Sequence, residues 1–282
     1  MIKFSNVTKE YRNTIALDDL SVEFTENRIY CLLGRNGAGK TTFMKLIAGH
    51  INASSGSVAV NGRKVSTFTM PDCVNFIESR ASQFNLRISK LLELANHLNN
   101  DFNMEFAKEM VKKFKLDKSK KYKQLSFGMQ TMFATIVSLA SKSRIILLDE
   151  PVLGFDAIIR ERFYELLQTS FEYNPRIIIV STHLIDEIAK VAEDIIIIEE
   201  GNILVNSNIN DIDAKAYSLT GPTAEIRSTV KGLHVIGEKT LGGFTTSYIF
   251  GDRITPASNI KMQSLSLQEF FINIVGGDKD ED

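Results

Sequence analysis

This sequence lacks long apolar runs, an excess of one charge and a set of cysteines. No stretch reaches the roughly 18 consecutive apolar residues of a membrane-spanning helix. Residues 1–5 do not begin a signal peptide, which would need a basic start followed by an apolar segment. We therefore expect a soluble, cytoplasmic chain that leaves any membrane crossing to other polypeptides.

The charges almost cancel, because 33 Lys and Arg face 34 Asp and Glu for a net charge of -1. This balance excludes a strongly basic surface of the kind that binds nucleic acid, so we expect no nucleic-acid partner. Two cysteines, Cys31 and Cys73, are too few for a disulfide framework and predict reduced thiols. Core-forming material is plentiful, since 44% of the 282 residues are hydrophobic, which suffices for one large domain or one large and one small.

A glycine-rich segment follows the apolar run of residues 29–33, which is typical of a buried strand. The segment reads Gly34, Arg35, Asn36, Gly37, Ala38, Gly39, Lys40, Thr41, Thr42. A strand, this turn and a following helix form the context in which G-x-x-x-x-G-K-[ST] binds phosphates. Backbone N–H groups and the helix N-terminus attract anions, while Lys40 reaches the β- and γ-phosphates and Thr41 holds Mg²⁺. The sequence therefore predicts a nucleoside triphosphate site with Mg²⁺.

Two further β-branched runs, residues 144–148 and 176–180, indicate central parallel strands covered on both faces. Ligands bind beyond the carboxyl ends of such strands, where these runs lead into Asp149-Glu150 and into His183. Phosphoryl transfer needs a metal opposite the phosphate loop and a group that orients the attacking water. We predict that Asp149 serves the metal, that Glu150 polarises the water, and that His183 senses the γ-phosphate.

Two features leave their function open when taken alone. Tyr11 lies in a polar segment, residues 8–14, predicted to be a turn, and would either stack on an adenine ring or cap the edge of a sheet. Residues 125–130 contain a serine and a glycine just before a helical pattern at 131–140, which makes a second anion site possible. Ser-x-Gly before a helix is common, so this pattern has little specificity by itself.

In combination and order, these motifs resemble those of the ATP-binding cassette (ABC) family over about residues 1–210. The match consists of Tyr11 (adenine-stacking aromatic), Gly34 to Thr42 (Walker A), Ile145 to Asp149 (Walker B), Glu150 (catalytic glutamate), Leu125 to Met129 (signature), Gly154 to Ala157 (D-loop) and His183 (switch histidine). The signature differs from its commonest form at Phe127 and Met129, and Ala157 replaces the D-loop proline.

The resemblance implies an α/β fold, namely a P-loop NTPase of ABC type with an antiparallel β subdomain and a helical subdomain at about residues 80–140. Residues 1–211 would form the nucleotide-binding domain. Residues 212–282 would form a small α+β C-terminal extension with a disordered acidic tail. Within the α+β part of that extension, Ser266 and Glu269 have the spacing of a capping box that opens a short helix.

The resemblance also implies a function: an ATP-binding and ATP-hydrolysing subunit that powers a membrane transporter from the cytoplasmic face of a bacterial membrane. Its partner would be a second cassette, the same chain or a relative, packed head to tail. Integral membrane subunits would complete the assembly. The residues acting in trans on the partner's ATP would be Ser126, Phe127, Gly128 and Met129. The segment 265–271 is similar to C-terminal extensions of ABC-2-type exporters of drugs and peptides.

One metal ligand of the family has no direct match. A glutamine is expected in a loop near residues 74–79, where this sequence has Glu78 and Ser79, with Gln83 slightly later. Glu78 is our candidate metal ligand.

Two alternatives to a transporter are a soluble ABC ATPase acting on ribosomes or nucleic acid and a regulatory cassette that does not hydrolyse ATP. A single P-loop argues against the first, and Glu150 argues against the second.

Overall fold

The computed structural model describes residues 1–78 and 84–276. Within these residues the strands form three β-sheets. Ser79 and Gln83, two of the three candidates in the metal loop, lie outside the described residues, as does the acidic tail from 277 onward, which was predicted to be disordered. No helix in the described part of the chain has the length and hydropathy that crossing a membrane requires.

The first sheet is antiparallel and contains the N-terminus. It has the order β2-β1-β4-β5, with β1 at Ile2–Tyr11, β2 at Thr14–Phe24, β4 at Ser55–Val60 and β5 at Arg63–Lys64. The predicted turn at residues 8–14 is wrong in extent, since only Arg12 and Asn13 lie between the strands. The ladder continues to the Tyr11–Thr14 pair because strand pairing satisfies the backbone groups that a longer polar loop would leave to water.

The central sheet has the order β10-β9-β3-β8-β7-β6. Its strands are β3 (Ile29–Leu33), β6 (Val74–Glu78), β7 (Ile145–Asp149), β8 (Ile177–Ser181), β9 (Asp194–Glu199) and β10 (Asn202–Asn208). The first five are mutually parallel, while β10 returns antiparallel to β9. All residues of β3, β7 and β8 are buried, which confirms the predicted central strands.

Both faces of this sheet are covered, which explains why its strands show no polar alternation. On β7, Ile145 and Leu147 face the core shared with the first sheet, whereas Ile146 and Leu148 face the helices. The helices of this part are α1 (Lys40–Ile47), α2 (Ile88–Leu98), α3 (Met104–Lys113), α4 (Phe127–Ala140), α5 (Ala157–Tyr173), α6 (Ile185–Ile188) and α7 (Ile209–Lys215), with a 3-10 turn at Tyr122–Gln124. The parallel strands therefore present their carboxyl ends at one edge.

The third sheet comprises β11 (Ala216–Pro222), β12 (Val235–Leu241), β13 (Phe244–Phe250) and β14 (Lys261–Ser264), in the order β12-β13-β11-β14. Helix α8 (Thr223–Thr229) packs on it, and Tyr217, Leu219 and Ile249 belong to its own small core. Helix α9 (Leu267–Gly276) instead places Phe270 in the main core. Helix α7 spans the position predicted as the domain boundary, so the division at 211/212 stays a prediction.

Helix α9 begins with the predicted capping box. The backbone N–H of Glu269 donates to Ser266 Oγ at 3.2 Å, and the backbone N–H of Ser266 donates to Glu269 Oε2 at 2.9 Å. These two bonds satisfy donors that the first turn of a helix leaves without a partner. The motif thus fixes where the last helix starts.

Candidate functional site

A cavity of about 380 Å³ lies at the edge where the parallel strands end. Its walls come from the β1–β2 hairpin, the glycine-rich loop with α1, and the last residues of β6 and β7. The lining residues are Tyr11, Ala16, Asn36, Gly37, Gly39, Lys40, Thr41, Thr42, Glu78, Asp149 and Glu150. Residues far apart in the sequence and predicted to share one site therefore surround a single cavity.

The glycine-rich loop connects β3 to α1 and is packed tightly against β9 of the central sheet and β2 of the first sheet. A Cβ on Gly34 would lie 2.2 Å from the carbonyl oxygen of Ile198 in β9. Gly39 has a φ of 109°, and a Cβ there would lie 2.4 Å from the carbonyl oxygen of Ala16 in β2. Only glycine fits at these positions, so packing and backbone conformation both dictate the loop sequence.

Lys40 is the first residue of α1, and its side chain folds back over the loop. Its Nζ donates to the carbonyl oxygens of Gly34 at 2.7 Å and Arg35 at 3.0 Å. Burial lowers the pKa of Lys40, and the nearby carboxylates of Glu150 and Asp149 oppose that shift. The ammonium therefore depends on its neighbours for compensation and is well placed to receive an anionic ligand.

Asp149 accepts hydrogen bonds through both carboxylate oxygens. Thr41 Oγ1 donates to Oδ2 at 2.7 Å, and Ser181 Oγ donates to Oδ1 at 2.6 Å. Sequence reasoning gave Ser181 no role, although a hydroxyl at the end of the apolar run of β8 is the available signal. Ser181 is fully buried, so its hydrogen bond to the Asp149 carboxylate is shielded from water.

Glu150 follows β7 in a left-handed conformation, with a φ of 50°. Such a backbone costs energy for a residue with a side chain and persists where neighbours impose it. Here the backbone N–H of Glu150 lies 3.0 Å from Ser181 Oγ and 3.1 Å from the Ser181 carbonyl oxygen. Its carboxylate Oε2 lies 2.9 Å from His183 Nδ1, so the two predicted catalytic side chains are in direct contact.

Mg²⁺ prefers oxygen ligands and is usually held by one or two carboxylates together with substrate phosphates. The Thr41 hydroxyl and the Asp149 carboxylate, 2.7 Å apart, provide such oxygens, with Glu78 in the same cavity. No group of three or more His, Cys, Asp or Glu among residues 1–78 and 84–276 could hold a metal. This donor set fits a cation that is shared with a phosphate ligand.

Comparisons with known proteins agree with this geometry. The family model described as "ABC transporter" matches residues 17–153. An uncharacterized ABC transporter ATP-binding protein of Methanocaldococcus jannaschii is 31% identical over 224 residues, covering 76% of this chain and 80% of the relative. The chain belongs to the ABC transporter family. It is therefore an ABC transporter ATP-binding subunit, an ATPase of the P-loop class.

Two other proteins are similar to this ABC cassette. The lantibiotic transport ATP-binding protein SrtF of Streptococcus pyogenes is 28% identical, covering 73% of this chain and 90% of the relative. A solved dimer of an ATP-binding cassette in a post-hydrolysis state, bound to ADP and Pi, is 25% identical with a TM-score of 0.63, covering 74% of this chain and 99% of that one. The predicted fold class and ATPase activity are thus confirmed.

The signature segment lies away from the cassette's own cavity, since none of Ser126 to Met129 lines it. Ser126 precedes α4, which begins at Phe127 rather than near residue 131, and its Oγ accepts the backbone N–H of Met129 at 3.4 Å. Gly128 packs on the ring of Phe155, where a Cβ would meet two ring carbons at 2.9 and 3.0 Å. Signature and D-loop therefore form one surface, and their action in trans stays a prediction.

Tyr11 and Glu78, two further predicted residues, both line the cavity. Tyr11 is 44% exposed, and Lys9 Nζ lies 4.9 Å from the centroid of its ring. Glu78 Oε1 forms an ion pair with Lys45 Nζ at 2.9 Å. The position of each residue is compatible with the predicted role, and both roles stay predictions.

Ser181→Ala is expected to weaken Mg²⁺ binding, raising the Mg²⁺ concentration that half-saturates hydrolysis about 10-fold, because one neutral-to-charged hydrogen bond is lost. Steady-state ATPase activity is measured across Mg²⁺ concentrations. Ser218→Ala, at a buried serine of the third sheet, is the matched control and should leave that concentration unchanged. An unaltered Mg²⁺ dependence in Ser181→Ala would show that Asp149 needs no anchor from β8.

Proposed function

We propose that this chain powers an ABC exporter of peptides, toxins or antimicrobials by hydrolysing ATP on behalf of separate membrane subunits. The observation that carries the proposal is the cavity in which the phosphate loop, Asp149 and Glu150 meet. Similarity to a cassette named for lantibiotic transport supports a peptide or antimicrobial cargo. The division into a nucleotide-binding domain, residues 1–211, and a C-terminal extension, residues 212–282, is part of this proposal.

In the proposed site, the N–H groups of residues 34–42 and the Lys40 ammonium bind the β- and γ-phosphates. Thr41 and Asp149 would hold Mg²⁺, with Glu78 as a further oxygen ligand, and the ion would supply positive charge against the phosphates. Tyr11 stacks on the adenine. Support for these roles comes from their shared cavity, whose walls include Tyr11, Lys40, Thr41, Glu78 and Asp149.

Glu150 is proposed to accept a proton from the water that attacks the γ-phosphate. Its carboxylate is oriented by His183 Nδ1 at 2.9 Å and by the backbone that Ser181 restrains. General-base catalysis requires a base in fixed orientation within hydrogen-bond reach of its proton. Hydrolysis rather than binding alone is therefore the function that these contacts favour.

The proposed assembly is a head-to-tail dimer with a second cassette, either the same chain or a relative. Each nucleotide would lie between one Walker A loop and the signature segment, residues 126–129, of the other copy. The placement of that segment outside its own cavity supports this arrangement, and so does the dimeric form of a similar cassette. The dimer would work at the cytoplasmic face of a bacterial membrane, bound to integral membrane subunits.

Affinity purification from solubilised membranes tests the transporter assignment. A tagged full-length chain is expected to co-purify a protein with several membrane spans, whereas a tagged carrier protein purified in parallel should not. Recovery of the chain with ribosomal proteins, or from the soluble fraction without a membrane protein, would contradict the transporter proposal and favour the soluble ABC ATPase instead.

A further inference from the structure

Glu78 adds a third carboxylate to a cavity that already contains two. It is the last residue of β6, paired in register with Asp149, and it lines the cavity together with Asp149 and Glu150. A triphosphate is strongly anionic, so each uncompensated carboxylate nearby weakens its binding. A glutamine, the residue that the ABC resemblance implies here, would add no such charge. A glutamate at this position needs a compensating cation.

Lys45 provides that cation from the phosphate-binding helix itself. Its Nζ lies 2.9 Å from Glu78 Oε1, and the two side chains are only 20% and 23% exposed. Ion pairs sheltered in this way are screened less by salt than those on an open surface. Lys45 also follows Thr41 by four residues, so both side chains project from the same face of α1.

This spacing connects one helix to two neighbouring strands. Thr41 donates to Asp149 at the end of β7, and Lys45, one turn later, contacts Glu78 at the end of β6. The helix that starts at the phosphate loop therefore orients both carboxylates that the proposed function assigns to the metal.

We propose that Lys45 is a positioning residue that neutralises Glu78 and fixes its carboxylate at the cavity wall. This inference rests on the proposed function for the part that concerns Mg²⁺. Lys45 contacts Glu78 and is absent from the cavity lining, so its effect on the nucleotide passes through Glu78. The pair allows a carboxylate to take the place of a neutral amide without repelling ATP.

Four full-length proteins test this proposal: the wild type, Lys45→Met, Glu78→Gln and the double variant. Binding of a fluorescent ATP analogue is measured in EDTA, so that no metal takes part. Lys45→Met should weaken binding about 10-fold, because the loss of the ammonium adds net negative charge beside the anionic ligand. The double variant should return to within about 2-fold of the wild type, since both charges are then absent.

Two controls separate this electrostatic effect from a loss of structure. Lys90→Met breaks an ion pair of equal length, 2.9 Å, with Glu93 on α2 and should leave binding unchanged. Lys45→Arg keeps the charge and should retain wild-type affinity. Melting temperatures of the nucleotide-free proteins are recorded alongside, and a variant is compared only if it unfolds cooperatively.

Each remaining outcome decides the question. Equal weakening by Lys45→Met with and without Glu78→Gln would mean that Lys45 acts on the nucleotide directly, which overturns the proposal. No weakening in either background would overturn it as well.

The Mg²⁺ dependence of hydrolysis in Glu78→Gln is a separate readout. If that dependence is unchanged, Glu78 is no metal ligand, and the proposed function fails at that residue while charge compensation by Lys45 stands.

Discussion

Glu150→Gln is expected to reduce steady-state ATP hydrolysis by about 10²–10⁴-fold, the usual contribution of a general base. Glutamine keeps the size of the side chain and can still contact His183, whose Nδ1 lies 2.9 Å from the carboxylate, but it cannot accept the proton. ATP binding should persist. The measurement is phosphate release at saturating ATP, together with nucleotide affinity for the same protein.

The same variant should also trap the dimer, because ATP that is not hydrolysed keeps both cassettes closed on it. Size-exclusion chromatography with ATP and Mg²⁺ is expected to show a species of twice the monomer mass. Glu172→Gln, at an exposed glutamate of α5, is the matched control and should hydrolyse ATP at the wild-type rate. Activity that survives Glu150→Gln would remove this residue as the base. A persistent monomer would count against a dimer of identical chains.

Lys40→Met is expected to weaken ATP binding by about 10²-fold or more, because charge-assisted bonds to phosphate are among the strong ones in proteins. Among the described residues that line the cavity, Lys40 is the one cationic side chain. Methionine preserves the apolar stem of the side chain but donates no hydrogen bond. Binding is measured by titration with ATP and Mg²⁺.

Lys40→Met also changes the nucleotide-free protein. Lys40 Nζ donates to Gly34 and Arg35 carbonyl oxygens at 2.7 and 3.0 Å, so its removal also releases two loop carbonyls to solvent. Lys142→Met, which breaks an exposed ion pair with Asp101, is the control for removing a lysine elsewhere. Wild-type affinity in Lys40→Met would show that the phosphates do not bind at this loop.

The sequence by itself determined the phosphate loop and the central strands. Glycines at 34 and 39 are dictated by backbone approach and conformation, which only a residue without a Cβ tolerates. The runs that became β7 and β8 are uniformly apolar because both faces of their sheet are covered. The constraints come from the fold, but each leaves its pattern in a few consecutive residues, so both features can be recognised before any fold is known.

The extent of β1 shows where local patterns fail. Residues 8–11 look polar enough for a turn, yet they continue the ladder with β2 as far as Tyr11. Beyond Thr8, where the pairing of β1 with β4 ends, the end of the strand accepts polar side chains, so composition does not separate it from a loop. Helix α9 could be predicted from its capping box, but its packing against the main core through Phe270 could not.

Only the tertiary structure decided which polar groups meet. Thr41 and Asp149 are 108 residues apart, and Lys45 and Glu78 come from a helix and a strand that no sequence motif connects. Ser181 became the anchor of Asp149 because β8 lies beside β7 in the sheet. The order of the strands in the central sheet sets these contacts. That order arises from the way the two covered faces of the sheet pack against their neighbouring layers. The sequence therefore determined the chemistry of the individual groups, and the fold determined their partners.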